Sequence, residues 1–320
     1  MSAADASTIR CPRCGNENRA DSFSCSFCGK RLKIEKIENF VLFGKNIFRR
    51  VESEWFTPNA WWLNIYYLFT DPALAFHDIN RKRSSAPGYR ILLINTLLWG
   101  LMGLAFFSHF RIVSVNDEAI SPFSPLLFWY GLSMFITFLI FGLIFQIIFY
   151  FVLTWIFMKG ANYAVGFSER IEARFGGDSD EREKYSETEM SPFSIYKSGT
   201  LLQKQQAYKY KMLFCAFTPF LLINFIKIII ILIAFPTVDI HVTNEEDFDE
   251  NIFTLMFNSP VWAVLHVIDA ITIAIWVPIL MALAIRELSN ASTYRVLISS
   301  LTIGILVSIF FYFLRPTLFG

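Results

Sequence analysis

The sequence of 320 residues contains few charged side chains and few histidines. Aspartate, glutamate, lysine and arginine together make up 17% of it, and histidine occurs four times. An ordinary soluble domain carries about 25% charged residues, so this composition argues against one. The net charge of +1 excludes a strongly basic surface, and we expect no nucleic-acid partner. The chain is instead rich in apolar residues, which make up 54% and include 35 phenylalanines.

The lysines and arginines are distributed unevenly between the hydrophobic blocks. Residues 1–90 contain fourteen of them, 109–125 one, 159–211 nine and 236–260 none. Loops rich in lysine and arginine stay on the cytoplasmic side of a membrane. The alternation therefore predicts five membrane spans, with the amino terminus in the cytoplasm and the carboxyl terminus outside.

The lengths of the hydrophobic blocks agree with this topology, because a helix needs about 20 apolar residues to cross the hydrocarbon core. The predicted spans lie near 91–108, 126–158, 212–235, 261–285 and 296–314. The second block is long, but splitting it into two spans would export the nine basic residues of 159–211 and leave no polar turn. We therefore predict one long helix that projects into the cytoplasm. The fold class is an all-α transmembrane helical bundle of five spans.

Two pairs of cysteines near the amino terminus have metal-binding spacing. Cys11 and Cys14 form one CxxC knuckle, Cys25 and Cys28 form the second, and a glycine follows each knuckle. Four thiolates complete a closed tetrahedral site, which favours structural Zn²⁺ over catalysis. The alternative of two disulfides conflicts with a reducing cytoplasm. We predict a zinc ribbon over residues 1–32.

Residues 33–64 are predicted to form a juxtamembrane amphipathic linker. Apolar residues recur there at helical spacing, which favours a helix in the membrane interface, although the same stripe could pack against the spans. Asp71-Pro72 then predicts the start of a helix, with a capping residue followed by proline. A basic group next to it is predicted to face membrane lipids or to signal topology; it comprises Arg81, Lys82, Arg83 and Arg90.

Two ionisable residues lie well inside predicted spans, where such groups are functional candidates. Lys227 is eight residues before the outer end of the third span, and Asp269 is eight residues after the outer start of the fourth. The side chains can meet if the two helices pack together, so we predict an intramembrane ion pair. Lys227 could instead extend to the outer surface, or the group could relay protons or ions. Asn224 and His266 lie near the pair and complete the predicted polar site.

Several short motifs of residues 65–320 resemble the Yip family of five-span membrane proteins. They are Asp71-Pro72-Ala-Leu-Ala-Phe76, Pro87-Gly88, Phe175-Gly176-Gly177, Ala216-Phe217-Thr218-Pro219 and Ala284-Ile285-Arg286-Glu287. With an amino-terminal zinc ribbon, the chain resembles a prokaryotic, archaeal-like form of the family. The resemblance implies residence in a prokaryotic plasma membrane.

The resemblance also implies a non-enzymatic protein with a trafficking-like role, which organises membranes or recruits a cytoplasmic partner through the ribbon. Eukaryotic relatives bind small GTPases, but Ser85-Ala86-Pro87-Gly88 replaces their Asp-Leu-Tyr-Gly-Pro signature, which argues against a GTPase partner here. Oligomers are compatible with the sequence. No protease motif or second intramembrane acid is present, which argues against an enzyme. The alternative function is a transporter of small solutes or ions that uses Lys227, Asp269 and His266.

Overall fold

The structure, a computed structural model, describes residues 8–41, 46–52, 59–113, 125–167, 207–241, 256 and 258–319. Within these described residues, five helices are long and apolar enough to cross a membrane: Arg83–Phe107, Leu127–Val165, Ala207–Ala234, Pro260–Ser289 and Thr293–Tyr312. They are called the first to fifth spans. The prediction of five spans is confirmed, and the chain has the architecture of a multi-pass membrane protein.

The long second block forms one helix, α4, over Pro125–Val165. Its 41 residues correspond to about 60 Å at 1.5 Å per residue. The prediction of a single long helix is confirmed. The physical reason is the absence of any proline or polar turn inside the block, so that nothing interrupts the ladder of backbone hydrogen bonds.

The third and fourth spans are each interrupted next to a proline. In the third, a 3₁₀ segment at Phe214–Phe217 precedes the α-helix Pro219–Ala234. In the fourth, a π-helical segment at Thr272–Trp276 precedes Val277–Ser289, which contains Pro278. A proline has no N–H to donate to the carbonyl four residues earlier. The positions of Pro219 and Pro278 account for where the two helices lose α geometry.

The chain divides into two compact units. The first comprises Met1–Tyr89, Leu153–Thr218 and Val277–Gly304, and the second comprises Arg90–Val152, Pro219–Trp276 and Ile305–Gly320. In the first unit, the antiparallel strands β1 (Thr8–Arg10) and β2 (Glu17–Arg19) belong to the cysteine-rich module.

The helices α1 (Trp61–Thr70) and α2 (Pro72–Arg81) follow in the first unit. Asp71 caps α2, because its side chain accepts a hydrogen bond from the backbone N–H of Leu74 at 3.3 Å. The predicted helix start at Asp71-Pro72 is confirmed. Helix α2 packs against α1 and against Val277–Ser289, and its residues Phe76 and Ile79 are fully buried.

The interfacial helix predicted for the linker is not present in its described residues. Among the described residues of 33–60, the 3₁₀ turn Lys36–Asn39 is the one regular element, and the last four residues of the linker already belong to the helix that begins at Trp61. The carbonyl groups of Phe48 and Arg49 accept hydrogen bonds from the Arg286 side chain instead of from helical N–H groups. Phe48 of the apolar stripe is 5% exposed, whereas Phe40 and Val41 are more than half exposed. The alternative interpretation of the periodicity, packing against the spans, therefore agrees with the arrangement at Phe48 and not at Phe40 and Val41.

Gly88 begins α3 (Gly88–Phe107) and lies against the backbone of Lys211. A Cβ atom at position 88 would overlap the carbonyl oxygen of Lys211 and come within 2.9 Å of Phe214 Cβ. Glycine therefore permits a close approach of two backbones here. The sequence motif Pro87-Gly88 has a structural role for this reason.

The second unit has an aromatic core and a small parallel sheet. Phe106 is fully buried, and its ring lies 5.0 Å from that of Phe235 and 5.8 Å from that of Trp262. The strands β3 (Phe110–Val113) and β4 (Val238–His241) follow the first and third spans and pair in parallel. The ends of these two spans therefore lie together. No sequence pattern predicted these strands.

Candidate metal centre and intramembrane ion pair

The four cysteines of the two knuckles converge on one point. Their sulfur atoms all lie within 4.8 Å of one another, and the Sγ atoms of Cys11 and Cys28 and of Cys14 and Cys25 are 3.6 Å apart. A disulfide would need about 2.05 Å. Ligands at about 2.3 Å from a tetrahedral zinc ion are about 3.8 Å apart, so the four sulfurs fit a single metal ion.

The two knuckles have the same backbone conformation. Gly15 and Gly29 have φ angles of +71° and +70°, a left-handed conformation that glycine adopts without steric cost. Each glycine N–H donates to the carbonyl of the first cysteine of its knuckle, Cys11 or Cys25, at 2.9 and 3.0 Å. The glycines thus close the turns that place two sulfurs side by side.

Asn18, which is not one of the four cysteine ligands, stabilises the second knuckle through hydrogen bonds. It is 6% exposed; its Nδ2 lies 3.5 Å from Cys25 Sγ, and its Oδ1 accepts from the backbone N–H of Ser26 at 2.8 Å. Burial opposes ionisation of Cys25, but N–H groups of Cys28 and Phe27 and the Asn18 amide lower the pKa of this thiol to about 6. Sequence analysis missed Asn18, because a lone asparagine between two knuckles carries no distinctive spacing.

The cysteine-rich module is attached to the turn between the fourth and fifth spans. Asn290 Oδ1 accepts from the N–H and hydroxyl of Ser24 at 3.0 and 2.8 Å, and Asn290 Nδ2 donates to the carbonyl of Ser24 at 2.7 Å. Glu35 accepts a hydrogen bond from the N–H of Thr293 at 2.7 Å. Residues 290–293, called the connecting turn, therefore bind Ser24 and Glu35, which lie at the two ends of the segment 24–35.

A network of buried charges lies beside the connecting turn. Glu38 is 1% exposed and accepts hydrogen bonds from Arg31 at 2.7 Å and from Arg50 at 2.8 Å. Arg50 Nη1 also donates to Asn290 Oδ1 at 3.2 Å. Burial lowers the pKa of Arg50 to about 10, and repulsion from the Arg286 charge contributes a smaller part of this decrease. The guanidinium therefore remains charged at neutral pH and compensates Glu38.

Arg286 is the largest fully buried side chain among the described residues. It donates to the carbonyl oxygens of Phe48 at 2.7 Å and Arg49 at 3.2 Å, and to Glu287 Oε1 at 2.8 Å. The planar guanidinium serves all three acceptors at once through N–H groups that its rigid fork holds in fixed directions. The motif Ala284-Ile285-Arg286-Glu287 thus fastens the linker to the fourth span.

The structure brings the two intramembrane ionisable residues together. Lys227 Nζ lies 2.5 Å from Asp269 Oδ2. The lysine is 3% exposed, so its ammonium group does not extend to the surface. Pairing removes the net charge that either group alone would carry into the membrane. Of the alternatives left open by the sequence, the geometry agrees with the ion pair and not with an extended Lys227.

A chain of buried amides lies next to the ion pair. Asn224 Nδ2 donates to Asn95 Oδ1 at 3.1 Å, and Asn95 Nδ2 donates to the hydroxyl of Tyr150 at 2.8 Å. His266 lies with its ring centroid 5.1 Å from that of Trp262. Asn224 and His266 line the same cavity as the ion pair. Sequence analysis missed Asn95 and Tyr150, since neither stands out from its apolar neighbours.

The predicted basic group does not form one cluster of equivalent side chains. Arg81, Lys82 and Arg90 are exposed, whereas Arg83 is half-buried and donates to Asn80 Oδ1 at 2.9 Å. Asn80 in turn donates to the carbonyl of Glu287 at 3.0 Å. Arg83 therefore has a structural contact. The lipid-facing role of the exposed residues Arg81, Lys82 and Arg90 stays a prediction.

No family model, curated protein or solved structure matches this chain. Of the motifs that resemble the Yip family, Phe175-Gly176-Gly177 lies outside the described residues.

Proposed function

We propose that the chain is a non-catalytic membrane scaffold of the Yip type, in which the metal-bound cysteine module presents a docking surface on the cytoplasmic side. The observation that carries this proposal is the attachment of the module to the connecting turn through Ser24 and Asn290. A module held in this way has a defined orientation relative to the two helix ends that flank the connecting turn. It therefore offers a preorganised surface rather than a freely moving arm.

The module and the linker also have exposed apolar side chains. Phe27, at the tip of the second knuckle, is 79% exposed, and Ile34 is 66% exposed. Phe40 and Val41 in the linker are more than half exposed. Aromatic residues that stand out from a polar surface are typical anchors of protein interfaces. Structural Zn²⁺ is the metal that best suits four thiolates in a closed site.

Photo-crosslinking tests the docking role. A benzoyl-phenylalanine at position 27 is expected to give a discrete protein adduct in native membranes. The same probe at Tyr163, another strongly exposed aromatic residue, serves as the control. The proposal is wrong if position 27 yields only lipid adducts or the same protein adducts as position 163.

A second candidate function, a conduit for small solutes or ions, is favoured by the cavity that Lys227, Asp269 and His266 line. The interruptions of the third and fourth spans are of the kind that transporters use at binding sites. Flux into proteoliposomes tests it, since transport through this site is expected to be lost in Asp269→Asn. Flux that is absent from the wild-type protein across a panel of ions and small neutral solutes would remove this candidate.

A further inference from the structure

A cavity of about 230 Å³ lies among the helices of the second unit. Aromatic side chains dominate its wall, among them Trp99, Phe145 and Trp262. An apolar cavity of about 150 Å³ already holds a benzene molecule. The cavity therefore has room for a substituted aromatic ring or a short aliphatic chain.

The same wall contains polar atoms that have no hydrogen-bond partner among the described residues. They are both amide atoms of Gln146, which is 4% exposed, together with Asn224 Oδ1 and Asp269 Oδ1. Buried polar atoms are nearly always paired, because each has given up its hydrogen bonds to water. The requirement is stricter within a bilayer, where lipid offers no replacement. These atoms indicate that a polar group occupies the cavity.

The chemistry of the wall defines the class of molecule. Three of these four atoms are oxygens, so as a group they accept more hydrogen bonds than they donate. Lys227 already neutralises Asp269 at 2.5 Å, and a ligand with net charge would enter without a counter-ion. We propose that the cavity binds a small neutral amphiphile, with an aromatic or short aliphatic body against the rings and one hydroxyl or N–H group that donates to these oxygens.

The backbone next to the cavity supports this assignment. Ile273 lines the cavity and belongs to the π-helical segment Thr272–Trp276, which follows Asp269 by one turn. Short π-helical segments are rare and occur frequently at functional sites. The site shares Lys227 and Asp269 with the conduit function, but binding at equilibrium requires no passage across the membrane. An absence of flux would therefore leave this inference standing.

The test is fluorine NMR of the full-length protein in lipid nanodiscs with two probes of nearly equal shape. Para-fluorophenol carries the donating hydroxyl, and para-fluorotoluene carries a methyl group in its place. Empty nanodiscs of the same lipid correct for partitioning. We expect saturable binding of the phenol at least about ten-fold tighter than that of the toluene, as the loss of one buried hydrogen bond implies. Equal affinities, or no saturable binding of the phenol, would overturn the proposal.

A matched pair of variants places the binding in this cavity. Gln146→Leu removes the unpaired amide, and we expect it to weaken phenol binding by about ten-fold. Thr154→Val removes a buried hydroxyl from the same helix, α4, outside the cavity, and should leave the affinity unchanged. The same phenol affinity in both variants would show that the site lies elsewhere. The comparison of the two probes on the wild-type protein decides the matter even if Gln146→Leu does not fold.

Discussion

Asn290 holds Ser24, which precedes it by 266 residues, through hydrogen bonds in both directions. Asn290 also has a φ angle of +53° and directly follows the helix that ends at Ser289. Asparagine is the residue that most readily replaces glycine in this left-handed position after a helix. The backbone of Asn290 thus ends the fourth span, and its side chain attaches the cysteine module.

Replacement of Asn290 by glycine separates these two roles. Asn290→Gly keeps the left-handed backbone but removes the amide that holds Ser24, so we expect the module to lose about 1–3 kcal/mol of local stability. Faster hydrogen exchange in residues 8–33 would report this loss. Ser292→Ala in the same turn is the control, because its hydroxyl accepts from the N–H of Arg295. Equal exchange in both variants would contradict the attachment.

Removal of one cysteine tests the metal centre. We expect the purified wild-type protein to contain one metal ion per chain by elemental analysis, with zinc as the metal. Cys11→Ser should lose the metal on dialysis and unfold residues 8–33, since metal binding supplies the folding energy of such modules. Cys215→Ser is the matched control, because Cys215 is buried away from the four-cysteine cluster. Equal metal content in Cys11→Ser and the control would show that the cluster does not hold the metal.

Arg286 provides a test of the packing of the linker. Arg286→Met leaves Glu287 and the two carbonyl groups of residues 48 and 49 without their buried donor. We expect a loss of about 3 kcal/mol in stability and new protease cleavage within residues 46–52. Arg295→Met, at an exposed arginine, should change stability by less than about 0.5 kcal/mol. A similar small effect of both substitutions would refute the role assigned to Arg286.

The Lys227–Asp269 pair predicts a coupling between two substitutions. Lys227→Met leaves Asp269 unpaired within the membrane, and we expect a loss of about 3 kcal/mol in the free energy of unfolding in detergent. Lys227→Asp and Asp269→Lys, each made alone, should also be destabilising. The double variant that exchanges the two charges should recover a substantial part of the stability that each single variant loses. A charge-swapped protein no more stable than either of its single variants would argue against the pair as a stabilising contact.

Gly88 predicts a strong effect from the addition of a single methyl group. Gly88→Ala would place Cβ on the carbonyl oxygen of Lys211, and backbone atoms cannot move aside as a side chain can. We expect a loss of about 3 kcal/mol, at the upper end of overpacking effects. At Gly131 the nearest atom is a ring carbon of Phe107 at 3.1 Å, which can shift. Thermal unfolding should therefore show a smaller loss for Gly131→Ala.

The parts of the fold predicted correctly depend on local sequence properties. The length and hydrophobicity of the five blocks predicted the spans, and the absence of a proline or polar turn predicted the uninterrupted α4. The start of α2 at Asp71-Pro72 was predicted from two adjacent residues. The linker prediction failed in its described residues because helical periodicity does not reveal that Arg286, more than 230 residues away, binds its carbonyl groups.

The residues of the candidate sites also fall into two groups, those predictable from local sequence and those found only in the structure. The cysteine set was predictable because two CxxC knuckles specify their own turns, whereas Asn18 was found only in the structure. The contact between Lys227 and Asp269 was predictable because both are rare charges at equal depth in adjacent spans. Gln146 was not predictable, since its significance comes from having no hydrogen-bond partner among the described residues in a cavity that several helices build.

The amino-acid sequence by itself determined that the described part of this chain has five helices apolar enough to span a membrane, and that it carries a four-cysteine cluster. These properties follow from local hydrophobicity and from cysteine spacing within a few residues. Only the tertiary structure decided that Asn290 and Arg286 fasten the amino-terminal segment, and that polar atoms with no partner in the described part of the chain line an aromatic cavity. Such relationships depend on which side chains come together after residues far apart in sequence have packed, and no local pattern encodes that proximity.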